Sequence, residues 1–205
     1  MTESKEAEMR IIAGEFKGRV LAAPKGVATR PTTDRVRESL MSAIGSARGG
    51  FEGAVVLDAF AGSGALGLEV LSRGASSSHF YETNPETLRV LKANIAATKV
   101  LSTRATIHRC DVLKAPPVGC RPPFDLVFLD PPYALEAAIV LELVAVLEAA
   151  GALASDVIIC YEHDKAHNLD FDSNNASLKH PLQLSIVSHK IYGDTAIDIL
   201  GKEPS

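Results

Sequence analysis

From residue 54 onward the apolar positions follow two alternating rhythms. Short β-branched or aliphatic runs at 55–58, 78–82, 106–110, 126–130 and 157–161 read as buried strands, and between them lie stretches of helical period at 65–73, 85–97 and 135–150. Strand and helix in turn predict an α/β sheet with parallel strands. Asn84 before Pro85 supplies a capping side chain ahead of a first-turn proline. Upstream the rhythm differs. Residues 10–24 read as two short strands joined through 14–18, and 26–31 as a connecting loop. Thr33 or Asp34 then caps a helix through Arg35, Val36, Leu40 and Ile44, which ends at Gly45 or at Gly49 and Gly50. After 168 the alternation stops. Runs at 183–189 and 196–200, linked across Tyr192, Gly193 and Asp194, predict a terminal antiparallel hairpin. The expected organisation is a leader over 1–9, a basic hairpin and helix over 10–50, and an α/β domain over 51–205.

Composition changes this picture little. The 205 residues are 46% hydrophobic and 22% charged, ordinary for a globular chain. No apolar run is long enough for a membrane span and the first ten residues are polar, so the expected location is the cytoplasm. Cys110, Cys120 and Cys160 are odd in number and form no CxxC, which argues against disulfides and structural zinc. Charge is more informative. Residues 10–37 hold seven basic side chains (Arg10, Lys17, Arg19, Lys25, Arg30, Arg35, Arg37) against Glu15 and Asp34, a net +5, and the remainder sums to −9. A basic arm on an acidic body suits a polyanion docked at one end.

The candidate chemistry gathers at strand ends. Gly62, Gly64 and Gly67 form a complete GxGxxG directly after a strand and before a helix, where small residues let a ligand approach the backbone. Glu82 closes the next strand, at the distance expected of a carboxylate that binds ribose hydroxyls. The pair indicates a cofactor containing adenosine without separating NAD from S-adenosylmethionine. Asp58 and Asp111, also at strand ends, tilt the choice towards a cationic ligand. Asp130, Pro131, Pro132 and Tyr133 follow the buried run 126–129. Two prolines fix the backbone and leave the Pro131 carbonyl as a rigid acceptor. Asp130 and that carbonyl can hold the two hydrogens of an exocyclic amine, and the Tyr133 ring can stack on the base. His163 and His167 stand four apart beside Glu162 and Asp164, but their setting reads as an exposed polar loop with no third ligand, so no metal site is expected.

On these residues the chain resembles the class I methyltransferases that methylate amino groups, and more closely the bacterial 16S rRNA guanine-N2 methyltransferase family known as RsmD. The blocks that carry the resemblance are MRIIAGEFKGR from Met9, RPTTDRVRESL from Arg30, LDAFAGSGALGLEVLSRGA from Leu57, LDPPY from Leu129 and KIYGDT from Lys190. It implies a Rossmann-like seven-stranded sheet, mostly parallel with its last strand antiparallel, behind a small hairpin-plus-helix appendage. It implies S-adenosylmethionine as donor and no metal. The implied substrate is a guanine of 16S rRNA in an assembling small ribosomal subunit; the residues themselves leave the oligomeric state open, a monomer being the favoured expectation. Asp58, Phe60, Gly62, Gly64, Glu82, Asp111 and Asp130 would line the cofactor, and Asp130, Pro131, Pro132 and Tyr133 would form the catalytic loop. Arg10, Lys17, Arg19, Arg30, Arg35 and Arg37 would meet RNA. The stretches 99–104 and 163–179 match no part of the pattern. Two alternatives share these features: an adenine-N6 nucleic-acid methyltransferase, and a non-catalytic RNA-binding assembly factor.

Overall fold

A computed structural model describes residues 9–24, 34–166 and 170–202, with the backbone alone at 34 and 35. Seven strands form one sheet in the order β5-β4-β3-β6-β7-β9-β8. They are β3 (Val55–Asp58), β4 (Ser77–Tyr81), β5 (Ala105–His108), β6 (Phe124–Leu129), β7 (Leu153–Asp164), β8 (Ser185–Tyr192) and β9 (Thr195–Gly201). The first five pair in parallel, whereas β9 runs antiparallel to both β7 and β8. The chain leaves β3 towards β4 and β5, then returns to β3's other side as β6. Open α/β sheets bind ligands at such a switch point, beyond the carboxyl ends of the strands.

Strict alternation along the central strands divides the core. Leu57, Val127, Leu129, Ile159 and Tyr161 face α4 (Ala137–Ala149), while Val56, Phe128, Ile158 and Cys160 face α1 (Asp34–Arg48) and α2 (Ala65–Ser72). The helix α3 (Pro85–Thr98) begins at the predicted cap: Asn84 Oδ1 accepts from Glu86 N at 2.8 Å and from Thr87 N at 3.2 Å. For α1, Asp34 is the first helical residue, and Thr33 lies outside the described residues.

The N-terminal pair β1 (Met9–Arg10) and β2 (Val20–Leu21) forms the predicted hairpin and packs Ile11, Phe16 and Leu21 onto the α2 side of the core. Polar groups fix its seat. Glu69 on α2 accepts Ile12 N at 2.8 Å and Ala13 N at 3.2 Å, Ser72 Oγ accepts Phe16 N at 2.8 Å, and Asn94 on α3 exchanges bonds with both backbone groups of Ala22. In the unassigned stretch 99–104, Arg104 donates to Leu71 O and Ala75 O and pairs with Glu15 of the hairpin.

One expectation is corrected here. His163 does not lie in an exposed loop: β7 continues through Asp164, and His163 is buried with its Nε2 2.8 Å from Asp198 Oδ2. Asp198 is itself enclosed between His163 and His189, whose hydrogen bonds hold its carboxyl below the usual range against the effect of burial. His167 is outside the described residues. A short α5 (Phe171–Ser177), capped by Asp170 Oδ1 on Ser173 N, occupies the rest of the polar stretch.

Candidate active site

The loop after β3 assigns its three glycines separate tasks. Gly62 has φ +53° and its missing side chain would meet only Phe60 O, at 4.0 Å, so that side of the loop stays open. Gly64 has φ +81°, and a Cβ there would lie 2.4 Å from Leu91 Cδ1 of α3. A Cβ on Gly67 would lie 2.3 Å from Phe80 Cε1 and 2.6 Å from Ser78 Oγ of β4. Gly62 thus leaves room for a ligand, while Gly64 and Gly67 let the loop and α2 close onto their neighbours. Phe60, partly buried, packs on the α4-side core.

Glu82 emerges from β4 beside this loop. Its Oε2 accepts Gly62 N at 3.1 Å, and its Oε1 accepts Thr83 N and Asn84 N, each at 2.7 Å. The carboxylate is thereby fixed with one acceptor site left over, on Oε2. Asp111, past β5, folds its own turn: Oδ1 accepts Leu113 N at 3.0 Å, and its carbonyl accepts Lys114 N and Ala115 N. Asp58 ends β3, 2% exposed, with Oδ2 on Gly67 N at 3.1 Å. Burial, then the charges of Asp130 and Glu82, push its carboxyl up to about 7 against the lowering effect of the Gly67 N–H.

Across the switch point, Asp130 to Tyr133 leave the end of β6. Pro131 is buried, while Asp130, Pro132 and Tyr133 are exposed. Pro132 O accepts Leu135 N at 2.8 Å, whereas no described residue donates to Pro131 O. Tyr133 leaves its ring 49% exposed and sets its hydroxyl 3.3 Å from Thr195 Oγ1 at the start of β9. Desolvation by crowding at the strand end raises the Asp130 carboxyl to about 6, although the residue as a whole keeps exposed surface. Glu162 on β7, absent from the expected set, is raised by burial and by Asp130, with His163 opposing.

Among the described residues the rim therefore concentrates Asp58, Glu82, Asp130 and Glu162. Such a rim suits a cationic ligand, since a sulfonium or ammonium relieves the mutual repulsion of the carboxylates. The open face over Gly62 and the fixed Glu82 fit an adenosine. The carboxylates and the open backbone at Gly62 are compatible with a cationic cofactor that carries adenosine.

The expected RNA contacts divide. Arg10 and Lys17 are exposed; Arg19 is partly so, donates to Ala97 O of α3 at 3.0 Å and sits over the Phe16 ring. Arg30 and the side chain of Arg35 lie outside the described residues. Arg37 is corrected: it is 5% exposed and donates to Arg10 O at 3.0 Å. It falls on the same helix face as Leu40, Met41 and Ile44, so helical periodicity takes it inward. Asn94, which bonds Ser63 O of the glycine loop at 2.9 Å, was also missed. Its signal was a polar residue on the buried stripe of Leu88 and Leu91.

The family model described as Conserved hypothetical protein 95 matches residues 9–201, nearly the whole described chain. The chain belongs to this family, known as RsmD. The protein named putative rRNA methyltransferase YlbH of Bacillus subtilis is 38% identical over 159 residues, covering 77% of this chain and 83% of that protein. Ribosomal RNA small subunit methyltransferase D of Escherichia coli K12 is 33% identical over 189 residues, 92% of this chain and 91% of its own. Among solved structures, yhhF of Escherichia coli superposes with a TM-score of 0.75 at 32% identity, covering 96% of this chain and 98% of that one. The RsmD fold, a class I methyltransferase sheet with an N-terminal hairpin, is the architecture found here. No helix among the described residues is long and apolar enough to cross a membrane.

Proposed function

We propose that this RsmD-family protein is an rRNA methyltransferase that moves the methyl group of S-adenosylmethionine to N2 of a guanine in 16S rRNA of the small ribosomal subunit. The observation that carries this reading is the loop at the end of β6: an Asp130 carboxyl raised above its usual range, a Pro131 carbonyl that no described residue claims and a half-exposed Tyr133 ring, beside the glycine loop. The rRNA target rests on the names of the family relatives.

When bound, S-adenosylmethionine would supply the methyl group by breaking its bond to the cationic sulfur, which leaves as a neutral thioether. Glu82 and the open backbone at Gly62 would hold its adenosine, Asp111 its adenine amine, and Asp58 would stand near its charged end. A guanine amine is a weak nucleophile because its lone pair is delocalised into the ring. Asp130 and Pro131 O accept its two hydrogens, which directs the nitrogen lone pair away from the ring plane. Tyr133 stacks on the base, a contact worth about 1–3 kcal/mol. A base taken from a helix costs a few kcal/mol to extrude, and the stacking offsets part of this. As the nitrogen gains the methyl it sheds one proton to the Asp130 carboxylate, which passes it to water. A carboxyl raised towards neutrality is a better acceptor for that proton. Most of the remaining acceleration comes from holding amine and methyl in line.

The test is incubation with radiolabelled S-adenosylmethionine and, in parallel, unmodified 16S rRNA, small subunits and duplex DNA, followed by nucleoside analysis. N2-methylguanosine from the ribosomal samples is expected. Label in N6-methyladenine would replace the target, and no label anywhere would leave an RNA-binding assembly factor.

A further inference from the structure

Glu162 has no part in the chemistry above, yet the sheet sets it beside the amine-holding loop. The strands β6 and β7 run parallel with Leu129 opposite Tyr161, so Asp130 and Glu162 are the next residues along each. Alternation turns Glu162 to the face of Ile158 and Cys160, which is also the face of Val56 and hence of Asp58. The side chain is partly buried and accepts no hydrogen bond from any described residue. Glu82, in contrast, is fixed by three backbone amides, and Asp58 by one. Partial burial of a carboxylate without a donor is unfavourable. Burial and the nearby Asp130 raise this carboxyl to about 8, so at the mouth of the site the donor that favours its ionised, accepting form is one that a ligand brings.

The amine of guanine narrows the choice of donor. Next to it on the Watson–Crick edge stands N1–H, a second donor pointing the same way. Beside the adenine amine the corresponding ring position is a bare lone pair. An acceptor adjacent to the pair that holds the amine therefore rewards guanine and repels adenine. Asp130 and Pro131 O already take the two amine hydrogens, which leaves N1–H for the neighbouring carboxylate. Tyr133 and Thr195 close the site on the β9 side without presenting a charge.

We infer that Glu162 is the residue that selects guanine, by accepting a hydrogen bond from N1–H while Asp130 and Pro131 hold the amine. This rests on the methyl-transfer reading above. A site built to pair with a base edge rejects the wrong edge more strongly than shape alone can, because a buried acceptor then faces a lone pair.

The probe is a small subunit reconstituted with 16S rRNA that carries either guanine or 2-aminopurine at the mapped target. The analogue keeps the amine but presents a lone pair at N1. The wild-type protein should favour guanine by roughly 10- to 100-fold in kcat/KM, as one good contact to a base edge supplies. Glu162→Gln, whose amide can face either edge, should bring that ratio close to one when both substrates are compared at saturating S-adenosylmethionine. Glu162→Asp keeps the carboxylate and should retain the preference at a lower rate. If Glu162→Gln slows both substrates equally and preserves the ratio, or if Glu162→Asp loses the preference as Gln does, the assignment is overturned. Failure of the wild-type protein to label guanine is a separate result and overturns the methyl-transfer reading instead.

Discussion

Asp130 and Asp58 are both carboxylates at strand ends, yet their surroundings give them different tasks. Asp58 is enclosed and tied to Gly67 N, whereas Asp130 faces the site with its carboxyl raised by loss of water. Asp130→Ala should lower kcat at saturating cofactor by at least about 100-fold, the scale of a lost proton acceptor. Weakened binding with normal turnover at saturation would show that Asp130 serves the cofactor instead. The basic residues divide in a similar way. Lys17→Glu, at an exposed hairpin position, should weaken RNA binding and reduce the slope of log affinity against log salt by about one. Arg37→Glu should instead destabilise the fold, since it forces a carboxylate onto the buried face of α1. A salt slope changed by Arg37→Glu at unaltered melting temperature would return Arg37 to the RNA surface. These residues also mark how far a sequence discloses a site. Asp58, Glu82 and Asp130 were legible because each ends an apolar run, and the ends of parallel strands converge. Arg37 was misread because its charge was counted before its place in the 37, 40, 41, 44 stripe. Glu162 was passed over as a neighbour of two histidines, since strand β7 could not be seen to run to Asp164.

Elements whose apolar runs are bounded by glycine, proline or caps were placed closely; β3, α2, α3 and α4 match their predicted spans within about two residues. What no periodicity revealed is how the hairpin is attached. It sits on α2 and α3 through Glu69, Ser72 and Asn94, partners more than fifty residues away, and side-chain bonds of that range leave no local signal. Asn94 joins two parts at once, because Oδ1 and Nδ2 hold Ala22 while Nδ2 also donates to Ser63 O in the glycine loop. Asn94→Ala leaves those backbone groups without their partner and should cost about 2–3 kcal/mol of stability. The loop's loss of its anchor should also weaken S-adenosylmethionine binding several-fold. Destabilisation with unchanged cofactor affinity would show that the glycine loop holds its shape without the bond. Gly67→Ala acts at the same level: its methyl would press on Phe80 and Ser78, a clash worth about 1–3 kcal/mol that denaturant unfolding can read.

Over the whole molecule, the rim that favours a cation should set a pH dependence of stability. The Asp58 carboxyl is raised from 3.8 to about 7 in the folded chain, so folding takes up a proton between those values. Its contribution is fully present below about pH 4 and is lost as pH rises to 7. His79 and His108 are shifted down by burial, so their contribution is kept at high pH and lost as pH falls. Asp198, held below its usual range, loses its contribution only in stronger acid. The raw melting curve mixes these effects, and the Asp58→Asn variant separates one of them. Asparagine can still accept from Gly67 N but carries no charge, so the variant should gain melting temperature over the wild type at pH 8 and lose that gain by pH 5. At this chain length each kcal/mol corresponds to about 2–4 °C. A bound cation at the rim answers the same repulsion as the substitution does. Saturating S-adenosylmethionine should therefore stabilise the wild type more at pH 8 than at pH 5, whereas S-adenosylhomocysteine, with a neutral sulfur, should show a weaker dependence. Equal pH dependence for the two ligands would mean that the carboxylates answer the ammonium they share rather than the sulfonium that distinguishes them.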